Sequence, residues 1–108
     1  MPFAGSISLV REEDLEDLLP LMRGYCDFYE VAPDDEALLA LSQALIADPE
    51  RDGVQLIARD TGGGAIGFAT LYWTWSTTSG PGRLAVMNDL FLALAARGSG
   101  AADRAGRT

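Results

Sequence analysis

The 108-residue chain has no histidine, and Cys26 is its one cysteine. A disulfide framework is excluded, and a zinc site or a histidine-based catalytic triad has neither ligands nor base to draw on. With no imidazole to activate it, Cys26 reads as a small buried residue on a helix and not as a nucleophile. Lysine is absent too: eight arginines face sixteen acids, for a formal charge of −8. A chain this acidic lacks the basic face that phosphate neutralisation requires, which argues against nucleic acid as a partner. No apolar run approaches the roughly eighteen residues that span a bilayer. Met1 to Ser6 shows neither the basic start nor the apolar stretch of a signal peptide. The expectation is a cytoplasmic protein without metal or membrane partner.

What is present is one domain's worth of chain, 48% of it apolar. The charge is uneven. Residues 1–60 hold fourteen acids and four arginines, whereas residues 61–108 hold two acids, Asp89 and Asp103, and four arginines. Most of the acids read as solvated helix faces, but acidic surroundings also suit cationic substrates such as amines. Ile7 to Val10 is a short strand. From Glu12 onward Leu15, Leu18, Leu19, Met22, Cys26 and Tyr29 recur at helical spacing, with Pro20 expected to kink or split that helix at Leu19 and Gly24 to weaken its later part. Asp34 is placed to cap a second helix whose buried stripe is Leu38, Leu41, Leu45 and Ile46, ended by Asp48-Pro49. Val54 to Arg59 and Ala65 to Trp75 flank the turn signal Asp60-Thr61-Gly62-Gly63-Gly64 and read as an antiparallel hairpin. Arg83 to Leu92 adds a further strand. The pattern is α+β: about four mostly antiparallel strands with two N-terminal helices.

Two features carry chemistry. Arg97-Gly98-Ser99-Gly100-Ala101-Ala102 follows a strand and opens toward a helix, an arrangement that can present backbone N–H groups, a helix dipole and a fixed cation to phosphate. Asp89 interrupts an apolar strand. Strict alternation places it with Met87 and Phe91 on one face, and Asn88 with Val86 and Leu90 on the other. An acid among such neighbours needs a partner or a shifted pKa, as a site residue does. Trp73 and Trp75 share a face of their strand, where core packing competes with a cation–π wall at Trp75.

The stretch from Asn88 to Ala102 resembles the central motif of the GNAT N-acetyltransferases, with Arg97, Gly100 and Ala102 at the three specified positions of its Arg/Gln-x-x-Gly-x-Gly/Ala pattern. Gly67 to Trp75 resembles that family's third strand and Glu13-Asp14-Leu15 the start of its first helix. The resemblance covers residues 7 to about 103 and comes nearest to the amine-acetylating branch that includes the spermidine/spermine acetyltransferases. It implies a co-substrate, acetyl-CoA, whose pantetheine arm pairs with the backbone of Leu90, Phe91 and Leu92 and whose pyrophosphate sits on Arg97, Gly98, Ser99, Gly100, Ala101 and Ala102. It also implies direct attack by the primary amine of a small molecule in a ternary complex, with no covalent enzyme intermediate. Asp89 is the candidate to guide or deprotonate the amine, Asn88 to order a water or the substrate, and Tyr25, Tyr29 and Trp75 to line the acceptor pocket.

The match departs from the family pattern at Leu94-Ala95, where Pro-Glu is common, and at Ser99, where a basic residue is frequent. Residues 104–108 carry no packing pattern. The family's later strands and helices, including a tyrosine acting as general acid, have no counterpart, so the fold expected is a truncated GNAT domain over residues 1–108. The alternative reading is a non-catalytic remnant or interaction module that pairs, as a homodimer for example, through an open apolar edge containing Leu84, Val86, Leu90 and Leu92.

Overall fold

The computed structural model describes residues 4–77 and 82–93. Strand β1 (Ser6–Leu9) leads through a single tight turn at Glu12–Asp14 into helix α1 (Leu15–Phe28), followed by helix α2 (Asp35–Ala47) and strands β2 (Gly53–Arg59), β3 (Ala65–Trp75) and β4 (Arg83–Leu92). The strands form one antiparallel sheet in the order β1-β2-β3-β4. Among the described residues, no helix is long and apolar enough to cross a membrane.

Pro20 does not split the first helix: α1 is continuous through it. The proline removes one N–H donor, but it lies on the exposed side, where the carbonyl it leaves free can meet water. Leu15 and Leu18 before it, and Leu21 and Met22 after it, are buried in the same core and hold both halves in line. The helix ends with Val31 N–H on the Cys26 carbonyl and Glu30 N–H on that of Asp27. Glu30 takes the left-handed position of this cap (φ 58°), which usually falls to glycine.

Asp34 caps α2 as expected, its carboxylate accepting from Ala37 N–H at 2.8 Å. The buried stripe is different: Leu38, Ser42 and Leu45 face inward, Leu41 is exposed and Ile46 is half-buried. Spacing of four and three residues puts Ser42 between the two leucines, so geometry overrides its polarity.

Both helices pack on one face of the sheet, against Ile57 and Phe68. Arg23 of α1 and Asp35 of α2 form an ion pair. Arg59 reaches back from β2 to Asp14 and Asp17, each at 2.9 Å, and to the Gly63 carbonyl, also at 2.9 Å. Burial disfavours the charged form of Asp14. The Arg11 N–H at 2.9 Å and the Arg59 guanidinium outweigh this and hold its carboxyl below the usual range. The β2–β3 turn closes on Asp60, whose carboxylate accepts from Gly62 and Gly64 N–H, while Gly63 adopts a φ of 87° open to glycine. The other sheet face carries a second cluster of strand residues alone: Leu56, Ala69 and Leu71, with Ile7, Val54 and Met87 packed around them.

Candidate functional site

The pairing of β3 with β4 contains one irregularity. Thr70 lies opposite Asp89 and Leu71 opposite Met87, so Asn88 is an extra residue in β4. Such a bulge reverses the alternation of side chains beyond it. The expectation that Asp89 and Met87 share a face is therefore corrected. Met87 joins the Leu56–Ala69–Leu71 cluster, whereas Asp89 and Phe91, opposite Thr70 and Phe68, turn toward the helices.

Helix α1 comes unusually close at this point because of Gly24. A Cβ there would stand 2.8 Å from Cζ of Phe91, so the glycine that weakens the helix is what lets it close on β4. The next residue, Tyr25, is thereby set against the sheet, its ring 5.7 Å from that of Phe68 in an edge contact and 5.0 Å from that of Tyr29. Burial, and then the nearby Asp89 carboxylate, push the Tyr25 phenol well above its ordinary range. Tyr72 on β3 is shifted the same way, by burial and by the charge of Asp89. Burial, with Asp27 and Asp89 adding to it, also raises the Cys26 thiol, which stays protonated. Asn88 donates to Asp89 through Nδ2 at 3.1 Å.

Below this group runs a buried polar chain. Ser42 donates to Gln55 at 2.6 Å and Gln55 to Thr70 at 3.1 Å, with the Met22 sulfur beside both Ser42 and Gln55. Above it opens a cavity of about 300 Å³, lined by Tyr25, Phe28 and Tyr29 from the end of α1 and by Leu90, Phe91 and Leu92 from β4. Phe28 and Tyr29 lie edge to face at 5.3 Å and are largely exposed.

Of the residues singled out in the sequence, Asp89, Asn88, Tyr25, Tyr29, Leu90, Phe91 and Leu92 are thus brought to one place. Trp75 is not: it pairs with Arg83 at the far end of the β3–β4 hairpin and is 73% exposed. The loop Arg97, Gly98, Ser99, Gly100, Ala101 and Ala102 lies outside the described residues. Thr70 and Tyr72 are not among the residues the sequence singles out for the site. Phe28 carried a signal, as an aromatic neighbour of Tyr29. Thr70 and Tyr72 could be placed beside Asp89 only by knowing of the bulge.

The sheet with its two helices has the fold of GNAT N-acetyltransferases, in part. In sequence the chain is 35% identical, over 99 residues, to the uncharacterized N-acetyltransferase YhfO of Bacillus subtilis (strain 168), which accounts for 92% of this chain and 64% of that protein. The structure superposes on the aminoglycoside antibiotic 6'-N-acetyltransferase AAC(6')-IG of Acinetobacter haemolyticus with a TM-score of 0.75 at 21% identity, over 94% of this chain and 66% of that one. A ribosomal-protein-alanine N-acetyltransferase of Brucella melitensis biovar Abortus 2308 gives a TM-score of 0.73 at 24% identity, with the same two coverages. The chain therefore spans a little under two thirds of the length of each. No protein-family model matches it.

Proposed function

We propose that this chain serves acetyl transfer from acetyl-CoA to the primary amine of a small cationic molecule, such as those handled by the spermidine/spermine branch, by direct attack in a ternary complex. The observation that carries the reading is the Asp89 carboxylate, turned by the bulge onto the helix face beside the aromatic cavity. An amine is mostly protonated near neutrality and must lose a proton before it attacks the thioester carbon. Asp89, or a water held by it and Asn88, takes that proton; as the nitrogen bonds to the carbonyl carbon the C–S bond breaks, and the leaving thiolate takes up the second proton shed by the new amide nitrogen. Phe28 and Tyr29 offer ring faces to the cation. The backbone of Leu90 to Leu92, at the cavity wall on an outer strand of the described sheet, is available to the pantetheine arm. Arg97 to Ala102 would take the pyrophosphate.

Isothermal titration with coenzyme A tests this directly, and silence at millimolar ligand removes the claim for this chain. Where binding is seen, Arg97→Ala should weaken it about tenfold or more, the loss of one charge-assisted phosphate contact. Asp89→Asn should spare it and lower amine turnover by about a hundredfold or more.

A second reading, pairing of two copies through β4, is favoured by the exposure of Leu84, Val86 and Leu90 on that strand. Light scattering on the eluting protein decides it: a dimer supports edge pairing, and a monomer at high micromolar concentration removes it.

A further inference from the structure

We propose that the three rings at the end of α1 form a cation subsite selective for N-alkylated ammonium groups, so that the acceptor carries such a group at the end remote from its reacting amine. The statement about the acceptor rests on the acetyl-transfer reading; the subsite itself stands on the geometry.

Tyr25, Phe28 and Tyr29 stand at i, i+3 and i+4, which puts them on one helix face, and all three line the same cavity of about 300 Å³. Their rings are not stacked. Phe28 meets Tyr29 at 79° with centroids 5.3 Å apart, and Tyr29 meets Tyr25 at 51° and 5.0 Å. Rings inclined to one another in this way present faces, and not only edges, toward a common space. Phe28 and Tyr29 are 69% and 59% exposed, so their surfaces are open to a ligand.

The surroundings select a cation. The last turn of α1 contains no basic residue, so nothing within the helix opposes the negative end of its dipole. Arg23, one turn earlier, is engaged by Asp35. The charged residues that flank the rings in the chain, Asp27 and Glu30, are both acidic.

The lining decides which cation. Among the described residues that line the cavity none is charged, and Leu90, Phe91 and Leu92 close its other wall. A primary ammonium brings three N–H donors and would find, among those side chains, only two phenol oxygens to replace its water. An ammonium whose hydrogens are replaced by methyl groups needs no acceptor, and ring faces hold it through its charge. The nitrogen held here is therefore not the one acetylated, which must be a free primary amine.

A methylation series tests the subsite on the full chain without acetyl-CoA. The probes are ethanolamine, choline, and the carbon isostere of choline, a neutral alcohol ending in a tert-butyl group. Binding is followed by the NMR shifts of the Tyr25, Phe28 and Tyr29 rings. Choline should bind in the millimolar range, about fivefold or more tighter than either the neutral alcohol or ethanolamine. Phe28→Leu and Tyr29→Leu replace exposed rings and should leave the fold intact. Each should weaken choline about threefold or more and leave the neutral alcohol nearly unchanged. Equal binding of choline and the alcohol would show a pocket indifferent to charge, and tighter binding of ethanolamine would show a cation held by carboxylates. Ring shifts that stay flat up to about 100 mM choline would show no subsite at all. Each of these results overturns the proposal. In the turnover assay, dimethylaminopropylamine should exceed its own carbon isostere about fivefold in kcat/KM, and equal values would overturn the statement about the acceptor. If neither amine is acetylated, the acetyl-transfer reading fails for this chain and takes that statement with it, while the titrations decide the subsite by themselves.

Discussion

The two faces of the sheet are built from the same strands, yet they bury different chemistry. Under the helices, among the described residues, lie the buried polar or charged Asp14, Ser42, Gln55 and Thr70, each with hydrogen-bond partners, alongside Leu18, Ile57 and Phe68. The opposite face holds Leu56, Ala69 and Leu71 with Ile7, Val54 and Met87, all apolar, beside a shallow groove of about 310 Å³ that includes Leu9, Trp73 and Ala85. Polar groups inside a protein are costly unless paired, so their concentration on one face marks the side where geometry is specified closely. Asn88 is the device that adds an acid to that side. Were Asn88 paired in a regular ladder instead of bulged, Asp89 would share Met87's apolar face, or Met87 would be pushed under the helices.

Inserting one alanine between Asp89 and Leu90, where β4 pairs regularly, should break the comparison most severely. A one-residue slip inverts every side chain on one side of the insertion. Either Phe91 leaves the helix face, or Asp89 leaves it and Met87 is pushed under the helices. The expected result is loss of cooperative thermal unfolding. If the insertion variant melts like the parent, the register of β4 does not set the division between the faces.

Next in size is Gln55→Leu, which keeps the volume and removes the polar link between Ser42 and Thr70. Both hydroxyls are fully buried, so each is left short of a partner. Urea denaturation should show a loss of about 1–3 kcal/mol. The added change Ser42→Ala should then recover part of it by removing one stranded hydroxyl. If Gln55→Leu costs nothing, the polar chain is not what distinguishes this face.

Much of the frame could be read from residue order. The Asp60–Gly64 turn between two runs rich in β-formers fixes the β2–β3 hairpin to within a residue, and Asp34 marks the start of α2. The bulge could not be read in the same way. Alternation assumes a constant period of two, and an inserted residue leaves no compositional mark beyond a polar pair, Asn88-Asp89, inside an apolar strand. Ser42 escaped for a related reason: a hydropathy stripe counts side chains by polarity, whereas burial follows angular position, and Ser42 sits midway between Leu38 and Leu45. Gly24 reads as a weak point of a helix until Phe91, 67 residues later in the chain, is seen packed against it. These are long-range facts, and together they place Asp89 beside Tyr25.

The smallest expected effect concerns acid. Asp14 ties the start of α1 to β2 through Arg59, and its carboxyl in the folded protein lies below the ordinary value of 3.8. As the pH falls through that value, the unfolded chain takes up the proton first, so stability decreases with pH until the folded carboxyl is protonated as well. The contribution is complete above the unfolded pKa and lost below the folded one. The Leu56–Ala69–Leu71 cluster contains no titratable group and should be indifferent over the same range. Asp14→Asn should thus reduce stability at neutral pH, by at most about 1 kcal/mol for a partly solvated pair, and flatten its decline between about pH 5 and pH 3. Hydrogen exchange read at the two pH values gives the spatial test. In the parent protein, protection in α1 should fall on acidification more than protection in β3, and in Asp14→Asn that contrast should shrink. Equal losses in both elements, in parent and variant alike, would mean that acid acts on the whole molecule and not through the helix face.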